Sequence, residues 1–409
     1  MKKQLIHFLK LIARLGLIVM NDGFLCMATK KGTVVFESFN GKDVNDNPYA
    51  IYRQLVANNP ELKEKLYFSV KPKEYKRLHK EHPEIKLVKR FTPAWVPIIA
   101  RAQFWVMNSR MPAWWHKNKN TTYIQTWHGT PLKRLGADIE NVEIPGKTTE
   151  QYHQEFIQEA QRWQYLIAPN QYSKDIFTRA FQFTNHFLDI GYPRNDVLYT
   201  DNNAFKIKHL KQTLLGHNFR QVILYAPTWR DDDYIQPGQY HFTLPFDLKK
   251  FFDMVGDDVA LIIRPHYLVA DQVDVTGFED RVFVRTAEDI NQLYLISDLL
   301  ITDYSSVMFD YANLKRPMLF YPYDLKHYQK ELRGFYFPYD EQHLPGPVVT
   351  NPADFYQQLA IFKEAGTFPA FKSQLQQFNQ QFCQWENGYA SNEVAKLIKK
   401  LITERKMTK

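Results

Sequence analysis

Thr122-Tyr123-Ile124-Gln125-Thr126-Trp127-His128-Gly129-Thr130-Pro131-Leu132-Lys133-Arg134-Leu135-Gly136 joins a β-prone run to a polar, glycine-bearing turn. The run 122–125 predicts a strand that ends near Trp127. His128 then stands at the strand tip. Gly129 lets backbone approach a ligand, and Thr130-Pro131 reads as an N-cap followed by a first helical residue. The free N–H groups of such a helix start attract anions. With a titratable imidazole beside them, the stretch predicts a site for a phosphorylated ligand. A capped strand-to-helix turn with a surface histidine is the plainer reading of the same residues.

Working outward, the pattern of strand, polar loop and helix recurs. Upstream, strands are expected at 33–36, 66–70, 85–89 and 104–107, with helices at 48–56, 73–82 and 93–100. The strand at 33–36 runs into a Gly-containing loop, Glu37-Ser38-Phe39-Asn40-Gly41-Lys42. Strands alternating with helices predict a mostly parallel sheet covered on both faces. Met111-Pro112-Ala113-Trp114-Trp115-His116-Lys117 interrupts the series. Two adjacent tryptophans require a cover, from the fold itself or from membrane or a lipid-linked acceptor. Downstream, a helix at 148–163, a strand at 165–168 and a helix at 173–181 follow. Gly191-Tyr192-Pro193-Arg194-Asn195-Asp196 then fixes Arg194 at a rigid turn. An arginine held there suits phosphate or closes the turn through a salt bridge. The charged helix 204–215 and Gly216-His217-Asn218 read as a linker.

The pattern restarts at 222–225, followed by Ala226-Pro227-Thr228-Trp229-Arg230-Asp231-Asp232-Asp233. Three consecutive aspartates do not converge on an ion, so no metal is read from them. A strand at 261–263 ends in Arg264-Pro265-His266-Tyr267. Another, at 299–302, leads to Asp303-Tyr304-Ser305-Ser306 and a helix from 307. Ser305 and Ser306 offer hydroxyls and helix-start amides as a second anion site. Asp310, one turn on, could accept hydrogen bonds from a ribose. The plainer reading makes the serines a cap and Asp310 a partner of the helix dipole. Ligands of open α/β sheets bind beyond the carboxyl ends of the strands. His128, Arg194, Thr228, Arg264, His266 and Ser305 all follow strands or turns at such ends. In two facing sheets, His128 and His266 would meet one pyrophosphate across a cleft, an environment suited to phosphoryl transfer.

Composition agrees with this frame. The chain has 409 residues, 44% hydrophobic and 15% aromatic, enough for two well-packed domains. The net charge of +8 points to an anionic partner. Two cysteines, Cys26 and Cys383, make neither a zinc pattern nor a disulfide framework, which suits a reducing compartment. No run is long enough to cross a membrane. Residues 2–20 instead predict a basic amphipathic helix, with Lys3, His7, Lys10 and Arg14 opposite Leu5, Phe8, Leu9, Ile12 and Val19. Such a helix lies in a membrane interface or packs on its own domain. No recognition-helix, RRM or OB pattern appears, so nucleic acid is not an expected partner.

Five motifs in order, HGTPLKRLG, GYPRND, YAPTWRDD, RPHY and ITDYSSVMFDYANLKRPMLFY, together closely resemble the CDP-glycerol glycerophosphotransferase family of wall teichoic acid synthesis. The resemblance covers roughly residues 30–390, and WHGTPLK and RPHY look like its poly(glycerol phosphate) polymerase branch. It implies an α/β, GT-B-like fold of two Rossmann-type domains: an amphipathic helix at 1–25, an acceptor-side domain at 26–217 and a CDP-glycerol-binding domain at 218–409. It implies transfer of glycerol phosphate from CDP-glycerol to a hydroxyl of an undecaprenyl-linked teichoic acid acceptor, releasing CMP. The enzyme would be peripheral, at the cytoplasmic face of the membrane on an anionic lipid surface. Donor contacts implied are His128, Gly129, Thr130, Pro131, Leu132, Arg194, Pro227, Thr228, Arg264, Pro265, His266, Ser305, Ser306 and Asp310. His128 and His266 are the implied catalytic pair, with no metal and no cofactor. The large polymerases carry a long extra N-terminal region that this sequence does not show, so processive polymerisation is not read from it. The alternatives are CDP-ribitol as donor and a GT-B glycosyltransferase acting on a lipid-linked acceptor.

Overall fold

The computed structural model describes residues 2–142, 146–228, 234–236, 239–240, 243–265, 273–325 and 334–404. The chain forms two compact units. The first is Met1–His128, Leu135–Asp196 and Trp385–Lys409; the second is Gly129–Arg134 and Val197–Gln384.

The first unit is built on a seven-stranded sheet. In chain order its strands are β1 (Lys30–Glu37), β2 (Leu66–Val70), β3 (Leu87–Lys89), β4 (Ala102–Met107), β5 (Thr122–Gln125), β6 (Tyr165–Ala168) and β7 (His186–Asp189). They lie in the order β3-β2-β1-β4-β5-β6-β7, and every pairing is parallel. β1 lies inside the sheet, with Val34 opposite Leu66 on one side and Phe104 on the other. All six residues of β4 are buried, as expected of a strand covered on both faces. The order reverses direction between β1 and β4, the topological switch at which α/β folds place ligands.

The second unit carries β8 (Gln221–Ala226), β11 (Val259–Ile263), β12 (Val282–Val284), β13 (Leu299–Thr302) and β14 (Met318–Phe320) in the parallel order β12-β11-β8-β13-β14. A short antiparallel pair, β9 (Tyr234–Gln236) and β10 (Gln239–Tyr240), lies apart from it. Val-Ala-Leu-Ile-Ile of β11 is buried throughout. The fold class is thus the expected α/β, GT-B-like one, with two Rossmann-type units.

Several expectations are corrected. The units exchange at Asp196/Val197, not near residue 217, because the helix Ala204–Leu215 belongs to the second unit. The last segment returns to the first unit. Val394, Ala395, Ile398 and Ile402 of the helix Ala390–Glu404 join the core beside Val34, Ile51 and Leu55. That helix starts on Asp196, whose carboxylate accepts from the N–H groups of Ala390 (2.9 Å) and Ser391 (2.8 Å) and from the Ser391 hydroxyl. β7 was not expected at all. Its His-Phe-Leu-Asp lies at a sheet edge and lacks a buried apolar run.

Helix α1 (Lys2–Leu25) is hydrogen-bonded to the first unit near its C-terminal end. Buried Asn21 donates to the His116 carbonyl (3.0 Å), and Asn118 donates to the Leu25 carbonyl (3.2 Å). The tryptophan loop is covered by the fold. Trp115 is fully buried against Trp95, and the Arg14 guanidinium lies 4.6 Å above the Trp114 ring. Phe8, Leu9, Leu11, Ile12, Leu15 and Val19 are exposed. No described helix is long and apolar enough to cross a membrane.

Candidate active site

The first unit's candidate site lies at the carboxyl end of β5. Trp127 has a left-handed backbone (φ 53°), which an aromatic residue adopts only under constraint. Hydrogen bonds supply that constraint: the Trp127 N–H donates to Gln125 Oε1 (3.0 Å), and the Trp127 carbonyl accepts from the Thr126 hydroxyl (3.0 Å). Asn47 also donates to the Trp127 carbonyl (3.1 Å), and Arg194 Nη1 donates to the His128 carbonyl (2.9 Å). The same Nη1 meets Asp46 Oδ2 at 2.7 Å, with both side chains nearly buried. Asp46 and Asn47 open helix α2 (Asp46–Asn58), where Asp46 is itself left-handed (φ 60°) and receives the Asn47 N–H (2.6 Å). The Arg194 N–H closes the clamp on Asn47 Oδ1 (3.0 Å). Arg194 is therefore held by a carboxylate and a carbonyl from other segments of the chain.

The clamp presents His128. Its ring stacks on Trp127 (centroids 4.6 Å apart) and meets the edge of Phe39 (5.7 Å). Nδ1 is 2.7 Å from the Asn108 carbonyl oxygen, which can only accept, so the neutral ring carries its proton on Nδ1. Nε2 is left with a lone pair. The ring is exposed to solvent yet has protein on most sides. Desolvation lowers its pKa below the usual histidine value, and Arg194 pushes the same way. The Asn108 carbonyl and Asp46 act in the opposite direction. At neutral pH the ring is a neutral base, the state that proton abstraction needs.

The expected helix start at Thr130-Pro131 is absent. Gly129, Thr130, Pro131 and Leu132 are buried, and the chain runs on without helix to the short turn at Gly136–Asp138. Arg134 N–H donates to the Gly334 carbonyl (2.8 Å), Tyr336 N–H donates to the Leu132 carbonyl (2.9 Å), and Lys133 bridges Phe335. These pairings satisfy backbone groups that a helix would have used, so no helix-end anion site forms here. Gly136 closes the segment with φ 57°; a Cβ there would lie 2.3 Å from the Ala180 carbonyl oxygen.

In the second unit the remaining candidates collect at the ends of neighbouring strands β11, β8 and β13. Pro227-Thr228 follows β8, and the Thr228 N–H donates to Asp303 Oδ1 (2.7 Å). The Asp303 carbonyl accepts from the Tyr339 hydroxyl (2.6 Å). Arg264-Pro265 follows β11. Arg264 donates to the Arg285 carbonyl (3.1 Å) and lies 3.9 Å from Glu288. Ser305 Oγ accepts, at long range (3.4 Å), from the Val307 N–H, while Ser306 makes no side-chain cap. Ser306 is exposed and Asp310 is buried. The helix that the two serines precede and that contains Asp310, Val307–Tyr311, is only five residues long, a weaker anion site than the sequence implied. His266 and the aspartates 231–233 lie outside the described residues. Among the described residues no three His, Cys, Asp or Glu groups gather as metal ligands.

Asp46, Asn47 and Asn108 were not anticipated from the sequence. Their signal is weak: an Asn-Asp-Asn start to a helix and an asparagine after a strand, both common in structural caps.

Comparison with known proteins places the chain in a family. The family model described as CDP-Glycerol:Poly(glycerophosphate) glycerophosphotransferase matches residues 19–400. The chain is 46% identical over 375 residues to a teichoic acid poly(glycerol phosphate) polymerase of Bacillus subtilis (strain 168), covering 91% of this chain and 49% of that protein. It is 40% identical to the protein of the same name from Bacillus spizizenii (strain ATCC 23059 / NRRL B-14472 / W23), covering 96% and 98%. A solved structure of the wall teichoic acid polymerase TagF superposes with a TM-score of 0.86 at 38% identity, covering 99% and 98%. The chain thus spans about half the length of the first of these relatives. Both curated relatives are named for glycerol phosphate, and the ribitol alternative does not fit them.

Proposed function

Because the chain belongs to the CDP-glycerol:poly(glycerophosphate) glycerophosphotransferase family, we propose that it transfers glycerol phosphate from CDP-glycerol to a hydroxyl of a teichoic acid precursor, releasing CMP. The observation that carries this reading is His128, held with its proton on Nδ1 and its Nε2 lone pair available. In the reaction the acceptor oxygen forms a bond to the glycerol-bearing phosphorus of CDP-glycerol. The bond from that phosphorus to the bridging oxygen breaks, and the electron pair leaves with CMP. The hydroxyl proton passes to His128 Nε2. Catalysis of this kind rests on positioning and charge stabilisation more than on covalent chemistry. The strand ends of the second unit, with Thr228, Arg264, Ser305 and Asp310, are assigned to CDP-glycerol. His266 with Arg264 is assigned to the charge that develops on the pyrophosphate.

The acceptor is assigned an undecaprenyl anchor, and the enzyme a peripheral seat on anionic lipid at the cytoplasmic face. Support comes from α1. The exposed side chains Phe8, Ile12, Leu15 and Val19 recur at helical spacing along one face, while Arg14 turns toward Trp114. An interfacial helix presents its apolar face in this way.

The decisive experiment incubates the protein with lipid-linked acceptor and CDP-glycerol, CDP-ribitol or UDP-sugars. CMP release with CDP-glycerol, accompanied by acceptor lengthening, is expected. UDP release instead would replace this reading with a glycosyltransferase. Flotation with phosphatidylglycerol vesicles tests the membrane seat: I12D/L15D should abolish binding, and unchanged flotation would refute it.

A further inference from the structure

The carboxyl edge of the first unit's sheet carries a basic residue after each of five adjacent strands. In sheet order β5-β4-β1-β2-β3 these are His128, Arg110, Lys42, Lys71 and Arg90. Neighbouring strands in such a sheet are roughly 5 Å apart.

The cations in the row differ in what holds them. Arg90 is buried and neutralised by Glu37 (3.0 Å). Lys42, Lys71 and Arg110 make no ion pair among the described residues. The acids nearby are already engaged: Asp43 and Glu74 with Arg77, Asp46 with Arg194, Glu159 with Arg162, and Glu155 with Lys147. Arg110 is half-buried, its guanidinium 3.9 Å above the Phe156 ring and 5.5 Å from that of Tyr152. Burial lowers its pKa, as it lowers that of Lys71, where Lys42, Lys73 and Arg90 add repulsion. A partly desolvated cation, as Arg110 and Lys71 are, is costly in a free protein unless an anion visits it.

Asn108, which follows β4 and whose carbonyl meets His128 Nδ1, supplies an independent observation. Its side chain is fully buried, and Oδ1 accepts from the Phe39 N–H (2.8 Å), which fixes the amide's orientation. Nδ2 then has no hydrogen-bond partner among the described residues. A buried donor without an acceptor is rare in a finished structure.

We propose that Arg110, Lys42 and Lys71 form a path for the anionic phosphodiester chain of the acceptor, leading away from His128 across the ends of β4, β1 and β2. This rests on the function proposed above and goes further by naming where an acceptor longer than one unit lies. The path makes affinity grow with acceptor length, because each added phosphate reaches one more cation. It also makes affinity fall with salt, as phosphate–cation contacts do.

The test is binding of fluorescent glycerol-phosphate oligomers of one, three and six units to the full chain, without CDP-glycerol. Wild-type affinity should rise with length. Lys42→Gln and Lys71→Gln should each weaken the six-unit oligomer roughly fivefold, the upper range for a partly exposed ion pair. R110Q should weaken it about tenfold or more, and R110K should restore most of the loss. Each removed cation should lower the slope of log affinity against log salt by about one. Lys208→Gln removes an exposed charge from the second unit and should change nothing. Length-independent binding, equal losses for K208Q, or equal affinity for a charge-matched DNA oligonucleotide would overturn the path. Since no turnover is required, failure of CMP release with intact length dependence would refute the proposed reaction and leave the path standing. Turnover without length dependence would do the reverse.

Discussion

The clamp on His128 can be tested by a double-substitution cycle at Asp46 and Arg194. One nitrogen of Arg194 serves two acceptors, Asp46 Oδ2 at 2.7 Å and the His128 carbonyl at 2.9 Å. Asp46 and Arg194 side chains are 7% and 11% exposed, so the pair is little screened by solvent. Hydrogen bonds between charged groups contribute about 1.5–3 kcal/mol, and removing one member of a buried pair costs about 3–5 kcal/mol. The clamp also sustains a left-handed Trp127, a strain of about 1–3 kcal/mol that would relax on release and turn His128 away. R194Q and D46N should therefore each lower kcat roughly 30-fold, or about 2 kcal/mol of barrier, with little change in KM for CDP-glycerol. The double variant should be no worse than about twofold below the poorer single one, because both act through one contact. Steady-state kinetics, with circular dichroism to confirm folding, gives all four corners of the cycle. Multiplicative losses would refute the reasoning. So would a raised KM in R194Q with D46N near normal, since the guanidinium would then be meeting substrate directly.

Other consequences are simpler. His128→Ala should lose at least about 100-fold in rate, roughly 2.7 kcal/mol, with unchanged melting, because the exposed ring contributes little to the core. A general base works deprotonated, and the His128 pKa is lowered; the acid limb of kcat/KM should therefore fall below about pH 6.5, activity being full at pH 7 and decreasing tenfold per unit beneath the limb. A limb above pH 7 would assign the base elsewhere. Asp196→Ala strands three donors at the start of the helix Ala390–Glu404 and should destabilise the first unit by about 2–3 kcal/mol in urea titration. Gly191→Ala should be at least as damaging, since φ is 78° and a Cβ would lie 3.0 Å from the Glu386 backbone and closer still to its carboxylate.

Much of the architecture could be read from residue pattern because parallel strands buried on both faces are nearly uninterrupted apolar runs. β2, β4, β8 and β11 all have that character. β7 escaped because an edge strand need not be apolar, and His186 and Asp189 are exposed at its ends. The false helix at Thr130-Pro131 has a tertiary cause. Its local signals were sound, but residues 334–336 took the backbone partners. The clamp was invisible for the same reason. Asp46 and Arg194 are 148 residues apart, and Asn47 lies 80 residues from the carbonyl it binds. Sequence spacing reports elements, whereas contacts at this range exist only once the sheet has formed. His128 was legible because glycine and proline punctuate the end of a strand, a signal contained in ten residues.

What the local rules did not foresee is concentrated in one place. Among the described residues, Phe39, Asn40, Asp46, Phe91 and Trp127 adopt left-handed backbone without being glycine, and only Gln182 and Lys315 do so elsewhere. Phe39 and Asn40 follow β1, Phe91 follows β3 and Trp127 follows β5, all at the same edge of one sheet, with Asp46 clamping the last. Each such residue costs on the order of 1 kcal/mol or more, which surrounding structure must offset. A fold selected for stability alone would spread that cost or remove it with glycine. Its accumulation around His128 and the basic row fits an edge shaped to hold side chains at fixed positions against an anionic chain. The same edge leaves Asn108 with an unused donor and three cations without acids. Strain, unsatisfied polarity and unneutralised charge thus point independently to one surface, and the left-handed Trp127 is where they meet the base.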